Sequence, residues 1–215
     1  MAKKELIQRS YSFEVRAEQD EDGGSIITGR PIVYESLTDL GWFDEIIERG
    51  ALVGTDLTDV RFLVNHDTSK IPLARSRRNN GNSTMQLTVD DLGMGIRVNL
   101  DTENNSEARN LYSAVQRGDI SGMSFMFGIS DEEWENLESD HPTRRIKSIS
   151  TVVEVSAVTF PAYDATTIDA RSKEALDNAR QAVDTARSKE QKSVDTDLEL
   201  EKEKLNTNLL LLGGF

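Results

Sequence analysis

With 215 residues, 37% of them hydrophobic, the chain is long enough for one ordinary domain and an appendage. Its formal net charge of -13 opposes a nucleic-acid partner, because such binding is driven by Lys and Arg neutralising phosphates, and no apolar stretch is long enough to span a bilayer. Cysteine is absent, which removes disulfides and thiolate chemistry, and two histidines, His66 and His141, provide no multi-histidine zinc site, so neither a metal nor a cofactor is expected.

The start, Met1-Ala2-Lys3-Lys4-Glu5, leads into mixed polar residues instead of a signal-peptide core, which predicts retention in the compartment of synthesis. Tyr11, Phe13 and Val15 alternate, Asp20 to Gly24 supplies a turn, and Ile26-Ile27 leads on to Arg30-Pro31-Ile32-Val33-Tyr34 as a hairpin-like opening. Asp44-Glu45-Ile46-Ile47-Glu48-Arg49 places acids early and a base late, with Gly50 in a capping position, and this order predicts a short helix. From Val60 onward, Phe62, Val64 and His66 would share one face of a strand. Met85, Leu87 and Val89, followed by Ile96, Val98 and Leu100, predict a second hairpin.

Ala108, Leu111, Tyr112 and Val115 recur at helical spacing, with Asn104, Asn105 and Ser106 as N-cap candidates and Gly118 just past the end. A strand over Met123, Phe125, Phe127 and Ile129 follows, then a polar, acid-rich loop, then a strand from Ile149 to Thr159 stopped by Pro161. Beyond about Asp169 the composition changes: Ala175, Leu176, Ala179, Ala182, Val183 and Ala186 keep helical spacing among mixed charges, before Leu198, Leu200, Leu205 and the apolar end Leu209 to Phe215. This predicts a domain over residues 1–170 and a helical tail over 171–215. The tail holds 8 bases and 9 acids, so 12 of the 13 net negative charges belong to the domain.

Three residues stand out chemically. His66, in Val64-Asn65-His66-Asp67, ends an apolar strand where polar loop begins, and an imidazole with an ordinary pKa of about 6.5 can accept a proton at neutral pH. Ser124 alternates against Met123, Phe125 and Phe127, and its hydroxyl would become a nucleophile only with a base such as His66 within hydrogen-bond reach. Ser121 competes with it, but its place beside Gly122 suits a turn. Glu154 is a carboxylate within Val152-Val153-Glu154-Val155, where an uncompensated charge would be costly, so it needs a partner that His66 could supply. His141 is the rival third member, although Glu138-Ser139-Asp140-His141-Pro142 suits a solvated loop. No GxSxG motif is present, so serine hydrolase is one hypothesis among several on these residues alone.

A family likeness narrows the choice. Gly29 to Tyr34, Phe43 to Leu52, Leu63 to Asp67 with Ile71 to Arg75, Leu111 to Phe127, and Val153 to Tyr163 occur in an order that resembles the prohead proteases of tailed phages, which are related in fold to herpesvirus assembly proteases. The likeness spans roughly residues 10 to 165. It implies a mainly β, α+β fold, an open β-barrel with flanking helices, here followed by the helical tail. It also implies a serine endopeptidase acting on the phage major capsid protein and scaffold, with Ser124 as nucleophile, His66 as base and Glu154 as the orienting acid. The expected setting is the host cytoplasm during synthesis and then the procapsid interior, with self-processing of the tail, no nucleic-acid or membrane partner, and room for a homo-oligomer. One departure is Met126-Phe127, where a small, glycine-like residue is expected beside Phe125. The alternative from another class is a catalytically silent scaffold or capsid-interior interaction protein.

Overall fold

The structure, a computed structural model, describes residues 6–11, 15–159 and 173–185. The chain divides into two units, Met1–Ser172 and Lys173–Phe215. In the first, the strands are β1 (Leu6–Tyr11), β2 (Val15–Gln19), β3 (Ser25–Val33), β4 (Thr38–Asp39), β5 (Asp44–Ile47), β6 (Asp59–Val64), β7 (Ala74–Arg77), β8 (Met85–Asp90), β9 (Gly93–Leu100), β10 (Gly122–Glu135) and β11 (Thr143–Val158). One helix, α1 (Ser106–Arg117), stands between β9 and β10. In the second unit, residues 173–185 form helix α2. The protein is thus mainly β with two described helices, and none of the described helices is long and apolar enough to cross a membrane.

Two sheets carry the first unit. A seven-stranded sheet runs β1-β10-β11-β5-β4, with β6 pairing with both β11 and β7, and a four-stranded antiparallel sheet runs β2-β3-β9-β8. Their apolar residues, including Ile27, Ile32, Phe62, Met94, Val98, Phe125, Phe127 and Val155, join Ala108, Leu111 and Val115 of α1 in one core. Helix α1 is bounded as its sequence predicts: the Asn105 side chain accepts from the N–H groups of Glu107 and Ala108, and Gly118 closes the other end at φ 80°.

The β8–β9 hairpin forms as predicted, with Leu87 opposite Ile96 and Met85 opposite Val98. Its turn has one obligatory glycine. Gly93 sits at φ +132°, and a Cβ there would lie 2.0 Å from the carbonyl oxygen of Ile32. Gly93→Ala should therefore cost ~3 kcal/mol or more and lower Tm by about 6–12 °C, a shift that thermal unfolding followed by circular dichroism would measure.

Four sequence expectations change. Residues Asp44–Ile47 form strand β5, not a helix, because tertiary pairing in parallel with β11 overrides a helix-like order of charges, with Glu45 and Ile47 buried. The first extended segment is two strands in different sheets, β1 beside β10 and β2 beside β3, while Phe13 lies outside the described residues. Strand β6 ends at Val64, so His66 stands in the following turn instead of sharing a strand face with Phe62 and Val64. The acid-rich loop is largely strand: β10 and β11 continue as a long hairpin closed over 136–142. Cross-strand pairs of opposite charge support that extension, Glu132 with the buried Arg144 and, in solvent, Glu133 with Lys147.

Candidate active site

Strand β10 crosses the sheet with β1 on one side and β11 on the other. Its residues Ser124 and Met126 lie opposite Ser156 and Glu154 of β11, so the period of two puts Ser124, Glu154 and Ser156 on one face. A register shift follows at once, between Met126 and Phe127. Met123, Phe125 and Phe127 occupy the other face and are fully buried.

His66 reaches this polar patch from a tight turn. Asn65 and His66 both have positive φ, 50° and 56°, and Asp67 N–H donates to the Val64 carbonyl at 3.1 Å, the pattern of a type I′ turn. Left-handed backbone is uncommon for residues with a Cβ, so the surroundings must hold it there. They do so through Asn65, whose N–H donates to Ala157 at 3.0 Å and whose side-chain oxygen accepts from Thr159 N–H at 3.0 Å. Strand β11 therefore both supplies Glu154 and anchors the turn that aims the imidazole at it.

The structure brings Ser124, His66 and Glu154 together. Nε2 of His66 lies 2.5 Å from Ser124 Oγ, and Nδ1 is in short contact with Glu154 Oε1. The imidazole and carboxylate are 11% and 4% exposed and Ser124 is fully buried, so little water competes for these bonds. A carboxylate can only accept, which assigns the hydrogen to Nδ1 and leaves Nε2 of a neutral ring as an acceptor for the serine hydroxyl. Such a chain can take a proton from Oγ and hold the resulting imidazolium against a buried negative charge.

Ser156 is a member that the sequence analysis does not single out. Its hydroxyl donates to Glu154 Oε2 at 2.7 Å and accepts from His66 N–H at 3.1 Å, so it fixes the acid and the base relative to each other. The signal was available, since Glu154 and Ser156 are polar residues two apart in the otherwise apolar stretch Val152 to Val158. The rivals lie elsewhere: Ser121 is exposed before β10, and His141 is on the surface, 3.1 Å from Asp44. Beside the turn, the Ser69 hydroxyl holds the Asp67 carboxyl below the usual carboxylate range, with help from the Ser69 N–H.

The serine has a second acceptor. Its Oγ is 2.6 Å from the carbonyl oxygen of Arg9 in β1, whose Ser10 lies opposite Ser124 in register. A hydroxyl has one hydrogen, so a neutral His66 and the Arg9 carbonyl compete for it. The edge strand β1 thus occupies the approach to the nucleophile.

Residues 11–181 match a family model described as caudovirus prohead serine protease. The prohead protease of Enterobacteria phage HK97 is 31% identical over 106 residues, a match covering 49% of this chain and 41% of that protein, so the chain spans well under half the length of this curated relative. The capsid assembly protease gp21 of bacteriophage T4 is similar at 12% identity and a TM-score of 0.40, over 73% of this chain and 98% of that one.

Proposed function

The chain belongs to the caudovirus prohead serine protease family, and from that premise we propose that it is a serine endopeptidase of capsid maturation, with Ser124 as nucleophile, His66 as general base and Glu154 as the orienting acid. The observation that carries this is the 2.5 Å approach of His66 Nε2 to Ser124 Oγ, with Nδ1 engaged by Glu154. Its substrates are the scaffold and major capsid proteins of the same phage, cut inside the procapsid. We also read the two sheets, which share one core, as the parts of an open barrel.

In the reaction, His66 Nε2 takes the Ser124 proton as Oγ attacks the peptide carbonyl carbon, and Glu154 stabilises the imidazolium. Backbone N–H groups near Ser124 receive the developing oxyanion. The imidazolium then protonates the leaving amine, and an acyl ester remains on Ser124. Water, deprotonated by His66, attacks that ester and restores the hydroxyl. The step requires β1 to move from β10, because the Arg9 carbonyl occupies the place of a substrate carbonyl.

Self-processing extends the same activity to the chain's own tail from about residue 171. Intact mass spectrometry after assembly should show a shortened C-terminus, and an undiminished one would remove tail trimming from the scheme. The second reading is a silent capsid-interior protein, favoured by the complete burial of Ser124 beneath that contact. Co-expression with the phage's own capsid and scaffold proteins separates the two: processing that disappears in Ser124→Ala supports the protease, and processing indifferent to that change supports the silent scaffold.

A further inference from the structure

Resting on the protease reading, we propose that Glu45 is a specificity-determining residue, the acid of a buried subsite that takes a basic side chain, arginine above all, at the position just before the cleaved bond. Strand β1 shows how that position is served. It is an edge strand whose only strand partner among the described residues is β10, and when it leaves, the β10 edge opens to another extended segment by strand addition. A segment added antiparallel in the same register brings to Ser124 Oγ the carbonyl that Arg9 now presents at 2.6 Å.

The side chain of that same residue goes to the other face of the sheet, because Arg9 lies opposite Phe125 while Ser124 is one position along. There its guanidinium meets Glu45 in a two-pronged pair, Nε to Oε1 at 2.5 Å and Nη2 to Oε2 at 2.8 Å. Arg9 and Glu45 are 3% and 1% exposed. Planar fork against planar carboxylate is the arrangement that a lysine cannot reproduce.

The charges around the subsite set its preference. Glu45 Oε2 also lies 3.5 Å from Nη1 of Arg144, which is paired with Glu132 and stacked over Trp134 at 5.6 Å. Arg9, Glu45, Arg144 and Glu132 carry two charges of each sign. Without Arg9, Arg144 stays engaged by the exposed Glu132, and the buried Glu45 loses its two-pronged partner; an arginine restores that pair, an apolar side chain leaves the carboxylate uncompensated and an acid adds a second negative charge beside it. The subsite is thus a selective element independent of the three residues that handle the proton.

The test uses the full chain on a peptide library, with products sequenced by mass spectrometry, and on two peptides identical except for Arg or Leu before the bond. The expected outcome is cleavage mainly after Arg, with kcat/KM ~10²-fold higher for the Arg peptide, and a fall of about tenfold or more in that ratio for Glu45→Gln. The ratio separates specificity from a general loss of structure, and the wild-type profile alone decides the matter should Glu45→Gln fail to fold. Ser124-dependent cleavage after apolar or acidic residues, or an Arg-to-Leu ratio unmoved by Glu45→Gln, overturns the subsite and leaves the protease intact. No Ser124-dependent cleavage at all overturns both.

Discussion

Ser124→Ala is expected to abolish processing of co-expressed capsid and scaffold proteins, with turnover reduced by ~10⁴- to 10⁶-fold, because nucleophile and base act as a unit and among the described residues the Ser124 hydroxyl is the one hydrogen-bonded to Nε2. Ser121 is exposed outside β10, and the Ser156 hydroxyl donates to Glu154. The loss should be one of chemistry, not of folding. An alanine keeps the β10 backbone pairing with β1 and β11, and removes one hydroxyl from between His66 and the Arg9 carbonyl. That change costs roughly 1–3 kcal/mol for the orphaned polar groups. Electrophoresis of the substrates beside circular dichroism of the purified variant checks both halves of the expectation. A folded Ser124→Ala protein that still processes its substrates would remove the nucleophile from the scheme.

The sequence carries local patterns well and distant ones poorly. Helix α1 is legible because its apolar spacing, its Asn105 cap and its Gly118 stop lie within fourteen consecutive residues. The β8–β9 hairpin is legible for the same reason. Strand β5 is not, because what holds Glu45 inside the protein is Arg9, 36 residues earlier, and Arg144, 99 residues later. The outer β10–β11 hairpin is hidden too, since its strands carry charge on faces that hydrophobic periodicity treats as loop.

The candidate site divides in the same way. Each of His66, Ser124 and Glu154 can be suspected from its own neighbours: a histidine at a strand end, a serine against an apolar row, an acid inside an apolar strand. Their meeting is a product of topology, with the base and the serine 58 positions apart and the base and the acid 88 positions apart. The left-handed turn at Asn65 and His66 is harder to see, because neither position is glycine and the conformation depends on the clasp to Thr159 and Ala157. Ser156 becomes evident once Ser124 and Ser156 are seen to be directly opposite across the ladder.

Glu154→Gln tests the arrangement most finely, since it preserves shape and removes only charge and acceptor symmetry. The carboxylate accepts from His66 through Oε1 and from Ser156 through Oε2. An amide can satisfy Ser156 with its oxygen only by turning its NH₂ toward Nδ1, and a donor there drives the ring to the tautomer with hydrogen on Nε2. That nitrogen could then no longer accept the Ser124 proton, and the buried counter-charge for the imidazolium would be gone as well. The expected fall in kcat is ~10⁴-fold, close to that of removing the nucleophile, with KM changed far less. Nitrogen NMR of labelled imidazoles supplies a readout that mere instability would not produce: with only His66 and His141 in the chain, the shift of the hydrogen from Nδ1 to Nε2 can be assigned directly. Near-normal turnover with Nδ1 still protonated would show that Glu154 holds the ring without being needed for proton transfer, and would leave Ser124 and His66 to act as a pair.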